Sequence, residues 1–233
     1  MGCVEEYTSC KYMTDHELAV KYAPHLYFDK NEPFTIDQIG YDIIRSSGRS
    51  KSFERDIWID KDKVAFVIEY QLYYDFDIQH MYDLEHFWVY VGYDGSVVDG
   101  EASAHGSHMN CFQYTQALEE ETHIPIYIQP GKHAVLPDGK LFRLFSDVDV
   151  VCHKYAGTAG LLVTKLFQGI LHKNSYIDYQ VCNYIRENFS FRPTLEFDSI
   201  QYNEDIIVTW DELYKIIPVR IERLLKKLGI CNV

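Results

Sequence analysis

The run from Val64 to Asp77 decides what this chain can fold into. Val64, Phe66, Ile68, Tyr70, Leu72, Tyr74 and Phe76 alternate with Ala65, Val67, Glu69, Gln71, Tyr73, Asp75 and Asp77. A repeat of two places successive residues on opposite faces of a strand, whereas a helix needs a repeat near 3.6. The first face is apolar throughout, and the second becomes polar toward its C-terminal end. A second strand is expected from Asp83 to Tyr93, ending in the turn Tyr93-Asp94-Gly95-Ser96. Val97 to His105 and Ile124 to Gln129 read as further strands. The expected class is mainly β with added α: an antiparallel β-sandwich of two packed sheets, with an N-terminal helix and C-terminal helices. The 233 residues suit a single domain, 1–233. Within it, 14–137 is expected to be the sandwich core and 138–233 a mixed α/β extension packed on that core.

The helices announce themselves by their caps. Thr14-Asp15-His16-Glu17 is a capping box, so a helix should start near Asp15 and stop before Pro24. His25 to Phe28 is a short extended run, closed by the breaker Asn31-Glu32-Pro33. Tyr41 to Arg45 and Ser52 to Ile59 are extended pieces around a loop at 46–50. Past Pro137-Asp138-Gly139 the character changes. Residues 158–171 suggest a short buried helix, Asp178 to Asn188 a second helix, and Phe191 to Phe197 a returning strand. Thr209-Trp210-Asp211-Glu212 is another capping box, opening a helix toward Leu228 with Pro218 as a kink or break. Leu213, Ile216, Ile217, Ile221, Leu224, Leu225 and Leu228 line one face of that helix, which is read as a face docked on the domain.

Composition excludes several function classes. Asp and Glu number 35 against 22 Lys and Arg, a formal net charge of -13. That balance repels phosphate backbones, so no nucleic-acid partner is expected. No apolar run approaches the ~18 residues of a membrane span, so an integral membrane protein is not expected either. The start, Met1-Gly2-Cys3-Val4-Glu5-Glu6, lacks the basic and apolar regions of a secretory leader, and Glu6 occupies the place where a myristoylation signal wants Ser or Thr. Six cysteines without a C-x-x-C pair read as reduced, mostly buried thiols. These signs together point to the cytoplasm, with an exported chain that has lost its leader as the alternative.

The chemistry concentrates between the first two long strands. Asp83 and Glu85 are two apart and share a side of a strand. His80 lies in the connecting loop and Asp77 ends the preceding strand, so a hairpin can bring all four together. Carboxylates so placed repel one another unless a cation offsets them. Asp77, His80, Asp83 and Glu85 are therefore the candidate ligands of a divalent metal. The oxygen-rich set favours Mg²⁺, Ca²⁺ or Mn²⁺, with Zn²⁺ or Fe²⁺ entering if further histidines join. A solvated acidic rim is the structural alternative. Glu101, Ser103 and His105 share one strand face, and Pro125 to Ala134 ends a strand with Gly131-Lys132-His133. His86 is expected to face away from the acids, with Trp88 and Tyr90, as a packing residue. Ser103 has no strand–turn–helix elbow around it, so a serine hydrolase is set aside.

The order H-x-x-D-x-E at a strand mouth, then S-A-H-G, then P-x-Y-x-x-x-G-K-H-A, resembles the superfamily of the necrosis-inducing (Nep-like) proteins and the vacuolar protein sorting-associated protein 62 family. Leu18 to Phe34 is similar to the opening of the second family, and the resemblance spans 18 to about 134. It implies a β-sandwich with a divalent metal in an acidic cavity. The metal roles of the Nep-like G-H-R-H-D-W-E motif and its upstream Asp fall here on His80, Asp83, Glu85 and Asp77. His105 and His133 match later family histidines at or beside the cavity. The flanking Gly, second His and Trp of that motif are absent, which draws the chain toward the sorting-protein relatives.

Three functions are open at this point. One is a metal-binding sandwich whose cavity takes a small polar ligand or glycan. Another is a metal-dependent hydrolase in which the metal activates water, with His105 or His133 as catalytic acid or base. The third is an interaction domain whose acids are simply solvated.

Overall fold

The computed structural model describes residues 12–104, 106–112 and 118–230. In chain order the elements are α1 (Asp15–Lys21), β1 (His25–Asp29), β2 (Gln38–Ile44), β3 (Gly48–Arg49), β4 (Asp56–Ile57), β5 (Val64–Phe76) and β6 (His80–Gly92). They continue with β7 (Val97–Ala104), β8 (Ser107–Asn110), β9 (Pro125–Ile128), β10 (Val135–Leu136), α2 (Val148–His153) and β11 (Gly160–Leu161). The remainder is α3 (Ser175–Phe189), β12 (Phe197–Ser199), β13 (Ile207–Thr209) and α4 (Trp210–Lys227).

The predicted hairpin is the spine of the molecule. Strand β5 pairs antiparallel with β6, Tyr74 facing Asp83 and Leu72 facing Glu85. The larger sheet runs β13-β2-β5-β6-β7-β8, with β11 also on β6, and the smaller runs β10-β9-β1-β12. Phe66, Ile68, Tyr70, Leu72 and Tyr74 of β5, with Phe87, Val89 and Val91 of β6, meet Leu26, Phe28, Ile126 and Ile128 of the smaller sheet. This is the sandwich core, which the two-residue repeat predicts. Each such side chain, fully buried, contributes about 1.5–3 kcal/mol of transfer free energy.

The reverse face of β5 and β6 is also covered, so the structure has a third layer. Tyr73, Met81 and Tyr82 pack with Ile177, Val181 and Ile185 of α3 and with Trp210, Leu213, Ile217, Ile221 and Leu225 of α4. The apolar stripe of α4 thus docks on its own domain. Pro218 lies inside an unbroken α4, and both capping boxes form with reciprocal hydrogen bonds. Farther along the same face, the two-stranded β3–β4 ribbon covers Val67, Trp88 and Tyr90.

Several expectations need correction. The sheets are mixed, because β1–β9, β2–β13 and β6–β11 are parallel pairs. Residues 158–171 form no α-helix; they give β11, whose two residues pair with His80 and Met81, and a 3-10 turn at Lys165–Phe167. Backbone hydrogen bonds to the edge of β6 outcompete the local helical option there. The returning strand is β12, later than the expected 191–197, and Ser52 to Ile59 contributes only the two residues of β4. Segment 138–233 adds strands to both sheets as well as two helices to the outer face.

Gly157 ties the helical layer to the β5–β6 connection. Its N–H donates to the Ile78 carbonyl at 2.8 Å, and its φ of 60° is left-handed. A Cβ at this position would stand 2.0 Å from the main-chain oxygen of Cys182 in α3. Gly169 has a φ of 81° with nothing within 4 Å of its would-be Cβ. Gly157→Ala should therefore lose about 2–3 kcal/mol in urea unfolding through forced backbone displacement. Gly169→Ala should lose only the ~1–2 kcal/mol of left-handed backbone cost.

Candidate functional site

The acids at the open end of the β5–β6 hairpin are arranged by a turn from the opposite sheet. After β9 the chain passes through Gly131-Lys132-His133, where Gly131 and His133 have φ of 68° and 59°. Gly131 is needed here because a Cβ would lie 2.9 Å from Ile78 Cβ and 3.2 Å from Cys152 Sγ. Its carbonyl accepts the Ile78 N–H at 2.7 Å, and its own N–H donates to Glu32 Oε2 at 2.8 Å. The turn is thus held against the connection that carries Asp77 and His80.

Its two side chains then divide between two acids. Lys132 pairs with Asp77 Oδ2. His133 Nδ1 lies 3.2 Å from Asp83 Oδ2. Asp77 is also 3.2 Å from His80 Nε2, while its other oxygen accepts the N–H groups of Gln79 and His80 at 2.6 Å. His80 Nδ1 donates to the Tyr82 carbonyl at 2.9 Å. Burial alone would raise the Asp83 pKa, but the hydrogen bond and charge of His133, helped by His80 and Lys132, hold it below the usual value. Glu85 accepts a hydrogen bond from Ser103 Oγ, whose oxygen in turn accepts the His86 N–H at 2.7 Å.

His133 is fully buried. Its ring stacks on Tyr74 with centroids 3.8 Å apart, and the edge contact with Phe34 is at 5.3 Å. Its Nε2 makes no hydrogen bond and stands 4.0 Å from Glu32 Oε1, which also makes none. Burial pushes the Glu32 carboxyl up to about 7, against the lowering effect of His133 and of the Gly131 and Phe34 amides.

Asp83, Glu85, His80 and Lys132 open onto a cleft of about 400 Å³. Ser52, Phe53 and Glu54 from the β3–β4 ribbon wall it on one side, and Thr164, Lys165 and Leu166 on the other. The exposed pair Glu54–Lys165, at 2.7 Å, bridges these two rims. Tyr82, with a left-handed φ of 76°, also lines the cleft. Such a conformation costs a non-glycine residue of order 1 kcal/mol or more, and neighbouring contacts must hold it.

The other histidines sort differently. His86 lies on the reverse face, stacked at 5.7 Å on Trp88, with Nε2 at 3.0 Å from Ser52 Oγ. Burial pulls its pKa down to about 3, so it is neutral at ordinary pH. His105 lies outside the described residues, though its neighbour Gly106 lines the cleft. Lys132 and Glu32 escaped the sequence reading. Lys132 stands inside a quoted motif next to His133, so adjacency was an available signal; nothing in a breaker such as Asn31-Glu32-Pro33 marks Glu32 as buried.

The donor set suits a hard divalent ion in type, and Lys132 already sets one positive charge against Asp77. No three of Asp77, His80, Asp83 and Glu85 bring ligand atoms within 4.8 Å of one another. Among the described residues the His/Cys/Asp/Glu group that meets this spacing is His25, Glu120 and His123.

No protein-family model matches the chain, and no curated protein matches it. Two solved structures of NLPPya, a necrosis- and ethylene-inducing-like protein, match part of the chain. One is a triple mutant, with a TM-score of 0.35, and the other is described as in complex with glucosamine, with a TM-score of 0.34. Both are 18% identical over 51% of this chain, and the match spans 64% of theirs, less than two thirds of that protein's length.

The Glu32 carboxyl gives a pH signature. Its folded pKa is raised above the unfolded value of about 4.3, so the folded state binds the extra proton between the two. Its contribution to stability is therefore fully present below pH ~4 and is lost as pH rises through about 7. Glu32→Gln should remove that loss. Relative to wild type, the variant should gain on the order of 3 kcal/mol between pH ~4 and ~8. Denaturant midpoints across that range check it, and a parallel pH profile for the two proteins would count against it.

Proposed function

We propose that the cleft is a binding site for a small polyhydroxylated ligand of the sugar class, and that the protein is a binding module built on a β-sandwich. The observation that supports this most is the pairing, in one cleft, of Asp83 and Glu85 with the Phe53 and Tyr82 side chains. Carboxylates accept hydrogen bonds from hydroxyl or ammonium groups, and aromatic faces cover the apolar C–H surface of a pyranose ring. Lys132, with three N–H groups, adds a donor for ring or carbonyl oxygens. The volume of about 400 Å³ is within the range of small-molecule pockets. The Asp83 and Glu85 carboxylates favour a sugar that carries an amino group.

A divalent cation at Asp77, His80, Asp83 and Glu85 is the second reading. The support is chemical: Asp83 and Glu85 share one side of β6 and both reach the cleft. Mg²⁺, Ca²⁺ or Mn²⁺ would there displace the Lys132 ammonium from Asp77 and supply a Lewis-acidic point for ligand oxygens. Catalysis is the less favoured extension. His133 is buried behind Asp83 and does not line the cleft, so what it offers directly is orientation of that carboxylate.

Calorimetric titration with glucosamine, glucose and the three metal chlorides tests both readings. Glucosamine should bind more tightly than glucose. Glu85→Gln should weaken it by about 10–100-fold, the equivalent of one charged hydrogen bond. Retention of full affinity in Glu85→Gln and Asp83→Asn would remove the cleft from consideration. Metal binding lost in Asp83→Asn, with sugar binding only in its presence, would favour the second reading.

A further inference from the structure

We propose that His25, Glu120 and His123 form a zinc site at the end of the sandwich opposite the acidic cleft. The placement follows from topology. His25 opens β1 and pairs with Pro125 of β9, whereas the Glu32 and His133 region lies beyond the other ends of these strands. Tyr22, just before β1, donates to the carbonyl of Gly95 in the β6–β7 turn, at the far end of β6 from Asp83. The site is therefore independent of the cleft and of the function proposed for it.

Two imidazoles lie side by side here, and because an ion sits in the plane of each imidazole that binds it, one ring must turn out of the stack for both to reach the same zinc. The rings of His25 and His123 stack with centroids 4.3 Å apart and an interplanar angle of 9°. His123 Nδ1 lies 2.6 Å from the Ala23 carbonyl oxygen, which only accepts, so Nδ1 carries the proton and Nε2 keeps a lone pair. His25 Nδ1 lies 2.5 Å from Glu119 Oε2. The Glu119 carboxylate also accepts the Tyr27 hydroxyl at 2.6 Å, and a carboxylate only accepts. His25 Nδ1 is thus the donor, and its Nε2 is the open nitrogen. A carboxylate or carbonyl behind each histidine is the arrangement that fixes the tautomer and raises ligand basicity at zinc centres.

Glu120 supplies the third ligand. Its Oε2 is 4.0 Å from His123 Nε2, and one ligand atom from each of the three residues lies within 4.8 Å of the others. The turn that carries it is clamped by reciprocal N–H···O bonds of 2.9 Å between Glu119 and His123. Glu120 and Glu121 both adopt left-handed φ, 47° and 70°. The Glu120 side chain is exposed and able to swing onto an ion. Two histidines and one carboxylate are a zinc set with a fourth position left for water or a ligand, whereas Mg²⁺ and Ca²⁺ prefer all-oxygen shells.

Titration of the purified chain with zinc chloride, followed by elemental analysis after dialysis, tests the site. One zinc per chain is expected. His123→Ala should abolish binding, and Glu120→Gln should weaken it by about tenfold or more. Glu120→Gln alters only an exposed side chain, so an unchanged far-UV spectrum and Tm keep the test valid if His123→Ala misfolds. Asp83→Asn should bind zinc as wild type does, and magnesium at equal concentration should not compete. No zinc uptake by wild type, unaltered affinity in Glu120→Gln, or loss confined to Asp83→Asn would each overturn the proposal.

Discussion

Asp77 and Asp83 at the open end of the larger sheet are sustained by two side chains from one turn. Lys132 answers Asp77 and His133 answers Asp83. Removing Lys132 costs about 3–5 kcal/mol, because the buried Asp77 carboxylate is left without its ion-pair partner. The turn can reach both acids only because Gly131 allows the backbone to press against Ile78 and Cys152. The smaller sheet thus does more than cover the core. It delivers the positive charge that permits the larger sheet to end in carboxylates.

That division explains what could be read from the residues and what could not. The alternation in β5 and the two capping boxes are local signals, each contained within a few residues, and the structure bears them out. The spacing of Asp83 and Glu85 put both on one face of β6, and side chains of both faces line the cleft. The parallel pairs and the two-residue strands β10 and β11 carry no local signal, because each forms only against a partner distant in sequence. Formal charge has a related blind spot. A net charge of -13 counts Lys132 with every other residue, but nothing in the sum shows that it stands against Asp77.

The two faces of β6 show how burial sorts similar side chains. Glu85 and His86 are neighbours in sequence and both are buried, linked through the single hydroxyl of Ser103. Glu85 reaches the cleft from the sandwich side. His86 is stacked against Trp88 and kept neutral beneath the β3–β4 ribbon. On that same side Glu69 is held by the hydroxyls of Ser50 and Ser52, at 2.6 and 3.0 Å, and burial raises its pKa. The ribbon is therefore a lid on buried polar groups as well as one wall of the cleft.

The late strands β12 and β13 carry a temporal consequence. Each pairs with a strand near the start of the chain, β12 with β1 and β13 with β2. Neither sheet has its full complement of neighbours until almost the whole domain has left the ribosome. Until then β1 and β2 each present an unpaired edge, the kind of surface that invites pairing between nascent chains. Closing loops of this length also slows the search for the native pairing. Chaperone engagement during synthesis should accordingly centre on the first third of the chain.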